Sequence, residues 1–108
     1  EKMPAVMERS VVRPTYSYFG NFYIADNVVM QMATKICYEI EGVKRVLRVL
    51  VLTTGDGAML EVELVLKSGF PVFEVMQEVQ SKLKQKLEYL TGIYLLSVDV
   101  ITKKIGLD

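Results

Sequence analysis

The sequence contains no histidine and no tryptophan, and it has one cysteine, Cys37, among its 108 residues. Without histidine, the chain cannot build a Ser-His-Asp triad, a Cys-His dyad or a histidine metal site. A single cysteine can form neither an intrachain disulfide nor a thiolate zinc site. We therefore expect no enzyme activity, no bound metal and no cofactor, and we expect Cys37 to act as a small buried hydrophobe.

Excess charge of either sign is also missing, because 13 basic residues balance 13 acidic ones. Nucleic-acid-binding domains usually present a basic face, and polybasic membrane anchors need clustered lysine and arginine. No apolar run approaches the roughly 18 residues that span a bilayer, and the first residues lack the apolar core of a signal peptide. We expect a cytoplasmic protein with no nucleic-acid partner and no direct membrane insertion.

What the chain has in abundance is apolar residues. They make up 51% of the sequence, and the mean hydropathy is +0.27. A domain of this size cannot hide so much apolar surface within itself. Contiguous exposed apolar patches usually mark protein interfaces. The composition therefore favours a homo-oligomer or a protein that binds a protein partner.

The first half of the chain predicts a tail, a strand and a helix. Residues 1–15 show no regular spacing of apolar residues, which predicts a flexible N-terminal tail. A single domain over residues 16–108 is predicted to follow. A short strand is predicted over residues 19–24. Apolar residues then recur at helical spacing, which predicts a helix over residues 26–41. Asp26 is its predicted N-cap, and Gly42 its left-handed terminal residue. The predicted buried stripe is Val29, Met32, Ala33, Ile36, Cys37 and Ile40.

The second half predicts two strands joined by a tight hairpin, then a helix and a last strand. The hairpin strands cover residues 43–53 and 59–67. A turn centred on Gly55 and Asp56 would place Arg48 opposite Glu63, whereas a register shift by one pair would place the two residues diagonally. A helix beginning near Pro71 ends at Thr91 and Gly92, and a strand over residues 93–102 follows. The order β-α-β-β-α-β predicts an α+β fold, a two-layer ferredoxin-like sandwich. Its four-stranded antiparallel sheet would carry both helices on one face.

The sheet face away from the predicted helices is the candidate functional surface. In a monomer this face should be mostly polar, but here the alternation places apolar residues and mixed charges on it. Such a surface is more typical of a subunit interface than of a catalytic pocket, although scattered exposed apolar residues are also normal. The candidate interface residues are Val46, Arg48, Leu50, Leu52, Glu61, Glu63, Val65, Leu95 and Ile101.

Two stretches resemble a known family. The first is GNFYIADNVVMQMATKICYEIEGV, which is similar to that family's Gly-x-Ile-x-Ile-Ser/Ala-Asp-x-Val opening, helix and Glu-Gly-Val. The second is LEVELVLKSGFPVFEVMQEVQSKLKQKLEYLTGIYLLSVDVIT, which is similar to its acidic strand, Val-Gln helix, Thr-Gly and Val-x-Val strand. Together they cover about residues 18–106. On these motifs the chain resembles the alkaline shock protein family of general stress proteins.

The resemblance implies a non-enzymatic, cytoplasmic protein that acts in cell-envelope stress or homeostasis. Some members of the family self-assemble and are recruited to the inner face of the membrane by a membrane-embedded protein partner. No catalytic residues are carried over from the family. The alternative left open is a small-molecule-binding regulatory module, because many dimeric ferredoxin-like proteins bind metabolites, although no ligand is identified for this chain.

Overall fold

The computed structural model describes residues 10–13 and 22–103. The elements follow one another as two short strands, a helix, two long strands, a second helix and a final strand. They are β1 (Ser10–Arg13), β2 (Phe22–Ala25), α1 (Asp26–Tyr38), β3 (Val43–Thr54), β4 (Gly57–Leu66), α2 (Val72–Thr91) and β5 (Leu95–Thr102). The α+β class is confirmed.

The strands divide into a pair and a three-stranded sheet, so the described residues do not form the predicted four-stranded antiparallel sheet. β1 pairs antiparallel with β2, with Val11 opposite Ile24. The larger sheet has the order β3-β4-β5, in which β3 and β4 are antiparallel and β4 and β5 are parallel. Because β2 pairs with β1, β5 bonds directly to β4. The helical crossover through α2 therefore returns β5 parallel to β4.

The N-terminal strands also change the predicted boundaries. Within the predicted tail over residues 1–15, Ser10–Arg13 forms β1; the other residues of that tail lie outside the described residues. Within the predicted strand over residues 19–24, the structure describes the part from residue 22 onward, which belongs to β2.

Helix α1 has the predicted buried face but ends earlier than predicted. Its buried residues include Val29, Ala33 and Ile36. It ends at Tyr38, because tighter i to i−3 backbone bonds follow, in which the Ile40 N–H donates to the Cys37 carbonyl over 3.1 Å. Gly42 does not have the left-handed conformation predicted for it.

Gly42 is instead a point of close packing between the chain after α1 and helix α2. A Cβ atom at this position would lie 2.7 Å from a methyl group of Val75. The missing side chain thus allows the turn after α1 to approach α2. In contrast, Gly92 has φ 75° and ends α2 as predicted, its N–H donating to the Glu88 carbonyl over 2.8 Å.

The core lies between the two helices and one face of the three-stranded sheet. β4 supplies the centre of this layer through Leu60, Val62 and Leu64, which are all at most 1% exposed. The helices pack on them with residues spaced three or four apart, as an amphipathic helix requires. The helical part of the core is Val29, Ala33, Ile36 and Cys37 from α1, and Val75, Val79, Leu83 and Leu87 from α2.

Two irregularities in β3 change which face its residues occupy. The pairing of β3 with β4 shifts by one residue between Val43 and Arg45, and again between Val46 and Arg48. Each extra residue is a β-bulge, and each bulge reverses the alternation of the residues beyond it. As a result Val46 lies opposite Leu64 and packs against the helix-side core, whereas Leu47 is 39% exposed.

Candidate interaction surfaces of the sheet

The face of the sheet away from α1 and α2, which we call the distal face, follows from the strand register. Arg48, Glu63 and Ile101 form one row across the three strands, and Leu50, Glu61 and Asp99 form the next. The face includes Arg45, Arg48, Leu50 and Leu52 from β3, Met59, Glu61, Glu63 and Val65 from β4, and Ser97, Asp99 and Ile101 from β5. The predicted pairing of Arg48 with Glu63 is confirmed.

Seven of the nine predicted interface residues therefore lie on the distal face, and two do not. Val46 lies on the helix side because of the bulge at Leu47. Leu95 also belongs to the core, at 4% exposure, because the β4–β5 register shifts between Ala58 and Met59. This shift leaves Leu96, which alternation predicts to be inward, 40% exposed. The placement of Val46 and Leu95 on the distal face is wrong.

An ionic cluster lies at the centre of the distal face. Arg48 Nη2 is 3.6 Å from Glu63 Oε2 and 3.9 Å from Glu61 Oε2. Glu61 is 1% exposed and Glu63 9%, whereas the Arg48 side chain is 43% exposed. A buried carboxylate needs a nearby cation or hydrogen-bond donor, so Arg48 offsets part of the cost of burying these two acids.

Apolar side chains surround this ionic cluster. Leu50, Leu52, Met59 and Ile101 are partly buried, and Val65 is 2% exposed. An arginine amid apolar side chains is the composition of a protein–protein contact centre, in which aromatic residues, methionine and arginine are enriched. The arrangement has the chemistry of an interface, with charges that set register and orientation.

The cluster does not have the composition of a metal centre. Among the described residues, no group of three or more cysteine, aspartate or glutamate side chains is placed to hold a metal ion. Cys37 is buried in α1, and burial raises the pKa of its thiol to about 12. A thiol with so high a pKa is unreactive at neutral pH.

The β5 edge of the sheet is capped by polar side chains of α2. Gln80 Nε2 donates to the Val98 carbonyl over 2.7 Å, and Lys84 Nζ donates to the Leu95 carbonyl over 3.1 Å. Glu88 Oε2 accepts from the Leu95 N–H over 2.9 Å. These groups would otherwise offer hydrogen bonds to another strand, so the side chains of α2 replace a neighbouring strand there.

The β3 edge has a different surface. An open groove of about 430 Å³ runs between α1 and the outer side of β3. Its floor is mainly apolar and its rim carries two cations; the lining is Met30, Gln31, Thr34 and Lys35 from α1, and Val46, Leu47, Arg48 and Val49 from β3. The N–H of Val46, one of the lining residues, donates to the Tyr38 hydroxyl over 3.0 Å.

The edge features were missed by reasoning from sequence, although a signal for one of them is present. Gln80, Lys84 and Glu88 are spaced by four, so they form one stripe of α2, but a polar stripe on a helix is ordinarily exposed to solvent and does not by itself predict contacts with a strand edge. The groove beside β3 has no sequence signal, because it depends on how α1 crosses the sheet.

The cavity on the helix side of the sheet is much smaller than the groove beside β3. The cavity enclosed by α1, α2 and the sheet has a volume of about 10 Å³ and is lined almost wholly by apolar side chains, among them Val29, Leu60 and Leu87. That is about the space of one water molecule, so the interior is packed rather than shaped to hold a metabolite.

Comparison with known proteins places the fold and no more. No protein-family model matches the chain, and no curated protein matches it significantly. Among solved structures, a nickel form of a MamM CTD variant has a TM-score of 0.62 at 14% identity and covers 74% of this chain and 99% of that one. The structure titled MamM-CTD 215-293 has a TM-score of 0.62 at 15% identity, covering 73% and 98%.

These neighbours support the assignment of the fold. The chain has an α+β, ferredoxin-like fold with two helices on one face of a three-stranded sheet, as the described residues show. Within residues 22–103, neither helix is long and apolar enough to cross a membrane.

Proposed function

We propose that this protein is a non-enzymatic assembly protein that associates with copies of itself and with protein partners through the distal face. The observation that carries the proposal is the arrangement of this face, where the partly exposed Arg48 pairs with the buried Glu61 and Glu63 among apolar side chains. Neither described helix packs on it, since both lie on the other side of the sheet. A second copy that covers it would bury the partly exposed Leu50, Leu52 and Ile101.

Measurement of molar mass by light scattering tests this proposal. We expect the wild-type protein to be a dimer or larger, and Leu50→Asp to shift it to a monomer, because a charge would be buried in the contact. The matched control is Leu90→Asp, a leucine that is 54% exposed on α2 and should leave the mass unchanged. Circular dichroism verifies that both variants fold.

Three results would count against the distal face. A wild-type protein that stays monomeric at millimolar concentration has no self-association to explain. An oligomer whose size is the same in Leu50→Asp and in the wild type associates through another surface. A lower molar mass in Leu90→Asp, with no change in Leu50→Asp, would show that the interface lies on α2.

We further propose that the assembly serves a general stress role like that of the alkaline shock family, at the cytoplasmic side of the cell envelope. Support comes from the sequence motifs that include Glu41-Gly42-Val43 and Thr91-Gly92. The test is to follow the protein by quantitative immunoblot after an alkaline shift and to separate the soluble and membrane fractions. We expect its level to rise and part of it to sediment with membranes; constant abundance without sedimentation would refute this role.

A ligand-regulated module is the second candidate function. The observation that favours it is the fold similarity to MamM CTD structures titled as nickel, manganese and zinc forms. Thermal unfolding with each of these metals and with a metabolite set separates the candidates, since any ligand of the native state raises Tm. A saturable rise in Tm favours regulation, and its absence together with a Leu50-dependent oligomer favours assembly alone.

A further inference from the structure

We propose that the last part of the β5 edge is a second self-contact, in which β5 of one copy of the chain pairs antiparallel with β5 of another. In the described sheet β5 is an edge strand, and an edge strand can accept another strand through its backbone groups. The contact is separate from the distal face. It stands on an uncapped stretch of the strand edge, on the charges beside that stretch and on an exposed phenylalanine above it.

The backbone groups of β5 point alternately toward β4 and outward. The Lys103 N–H donates to the Leu64 carbonyl over 2.8 Å, so the odd-numbered residues over 99–103 direct their N–H and carbonyl groups toward β4. The Val98 carbonyl points outward, where Gln80 Nε2 donates to it over 2.7 Å. The even-numbered residues of this stretch therefore face outward.

The polar cap that α2 provides ends at Val98. Within residues 10–13 and 22–103, the outward N–H and carbonyl groups of Val100 and Thr102 have no hydrogen-bond partner. Both residues are only partly buried. This stretch of the edge is therefore available to another strand, whereas the stretch before it is not.

The cap also selects the register of the pairing. A pairing that avoids Val98 and uses both uncapped residues sets Val100 of one copy opposite Thr102 of the other. Ile101 then lies opposite Ile101 of the second copy, on the two-fold axis that relates them. In the same register Asp99 lies directly opposite Lys103 of the second copy.

Charge complementarity identifies a second copy as the occupant. Asp99 and Lys103 lie on the same face of β5, and neither forms an ion pair in the part of the chain that the structure describes. The two-fold symmetry repeats the pair of Asp99 with Lys103, and opposite charges directly across two strands are favourable. The edge therefore complements itself.

An exposed aromatic residue lies above the same stretch. Phe73 is on the same stripe of α2 as Gln80, two helical turns nearer the start of the helix. Because α2 runs antiparallel to β5, this displacement of about 10 Å places Phe73 about level with Ile101. Phe73 is 70% exposed. A second copy related by the axis at Ile101 would bring its own Phe73 close and cover both rings.

The contact is short and therefore weak on its own. Stable interfaces bury about 1,200–2,000 Å² in total, which is more than this short ladder supplies. It gains strength between copies that the distal face already links, because their effective concentration is high. The contact itself stands alone, but an assembly larger than a dimer rests on the proposed function, since a copy with two self-contacts can join neighbours on two sides.

Disulfide trapping on the full chain tests the register. Ile101→Cys would place two thiols on the axis, at a non-hydrogen-bonded pair whose Cα atoms lie about 4.5 Å apart, within the range of a disulfide. Ser97→Cys is the matched control, because it lies on the same face of β5 but far from its counterpart across the axis. Cys37 is buried. After mild oxidation at high protein concentration, we expect linked dimers on a non-reducing gel about ten-fold faster for Ile101→Cys.

Charge exchange tests the second copy as the occupant. In the Ile101→Cys protein, Asp99→Lys would set a lysine against Lys103 and should slow linking about ten-fold. Adding Lys103→Asp exchanges the two charges and should restore the rate. Asp56→Lys, at the exposed turn between β3 and β4, is the control with the same charge change and should leave the rate unchanged. Circular dichroism verifies that each variant folds.

The outcomes separate this contact from the distal face. Equal linking of Ile101→Cys and Ser97→Cys, or no recovery on charge exchange, would overturn the proposal. The preference for Ile101→Cys should persist when Leu50→Asp is added; its loss would make the contact part of the distal association and also overturn the proposal. A persisting preference together with an unchanged molar mass for Leu50→Asp would refute the distal face and support the β5 contact.

Discussion

The two faces of strand β4 are equally buried but chemically unlike. Toward the helices it presents Leu60, Val62 and Leu64, and toward the distal face Glu61, Glu63 and Val65, all at most 9% exposed. The helix side is stabilised by packing, which depends on volume and shape. The centre of the distal side depends on pairing its two acids with a cation from β3. The same degree of burial therefore implies different sensitivities to substitution.

Removing volume on the helix side should have the largest effect. Leu64→Ala deletes a fully buried side chain and leaves a cavity beneath the helices, which should lower the free energy of unfolding by about 2–5 kcal/mol. Urea denaturation measures the change. Leu90→Ala, at a half-exposed site on α2, should cost less than about 0.5 kcal/mol. Similar losses for both variants would mean that the layer under the helices is loosely packed.

Removing charge on the distal side should have an intermediate effect. Arg48→Met keeps the length of the side chain but leaves Glu61 and Glu63 without this cation. We expect a loss of roughly 1–2 kcal/mol, less than for a fully buried pair, because water screens the 43% exposed Arg48 side chain. Urea denaturation of a protein kept monomeric by dilution separates this effect from assembly.

A double-mutant cycle assigns that loss to the charge pair. Glu63→Gln alone also removes one partner, but in the Arg48→Met background it removes an acid whose cation is already gone. We therefore expect the double variant to be more stable than the sum of the single losses predicts, by about 1 kcal/mol. Strictly additive losses would show that Arg48 contributes through its packing and not its charge.

The helix side was largely predictable from sequence because its pattern is local. The spacing of Val29, Ala33 and Ile36 indicates a helix and also its buried face. The hairpin register was predictable too, since the two-residue turn at Gly55 and Asp56 fixes which residues of β3 and β4 lie opposite each other near it.

The distal face was predicted less well because it depends on strand irregularities and on long-range pairing. Val46 and Leu47 are both apolar, so the sequence does not show which of them faces the core, and a bulge decides it. Leu95 and Leu96 pose the same ambiguity in β5. The parallel pairing of β4 with β5 depends on β2 pairing elsewhere, which no local pattern reveals.

The exposed pair at the β5 edge should show the smallest effect. Lys84 Nζ donates a hydrogen bond to Glu88 Oε2 over 2.6 Å, and this bond is the main cause of the lowered pKa of Glu88. The hydrogen bond from the Leu95 N–H and the charge of Lys84 lower this pKa further, whereas partial burial of the carboxylate raises it. Lys84→Met should raise the pKa of Glu88 toward its ordinary value of 4.5. NMR titration of the Glu88 carboxyl carbon measures this pKa. Glu39, whose pKa is lowered by Lys86, is the internal control, and its pKa should not change.

The sign of the pH dependence follows from the direction of that shift. Because folding lowers the pKa of Glu88, its contribution to stability is present above the unfolded-state pKa and is lost as the pH falls through the lower folded-state pKa. Lys84→Met should therefore cost at most about 0.5 kcal/mol at pH 7, since the Lys84 side chain is 46% exposed, and the cost should shrink in acid. A loss as large as that of Arg48→Met would show that capping the β5 edge contributes as much to the fold as the ionic cluster of the distal face.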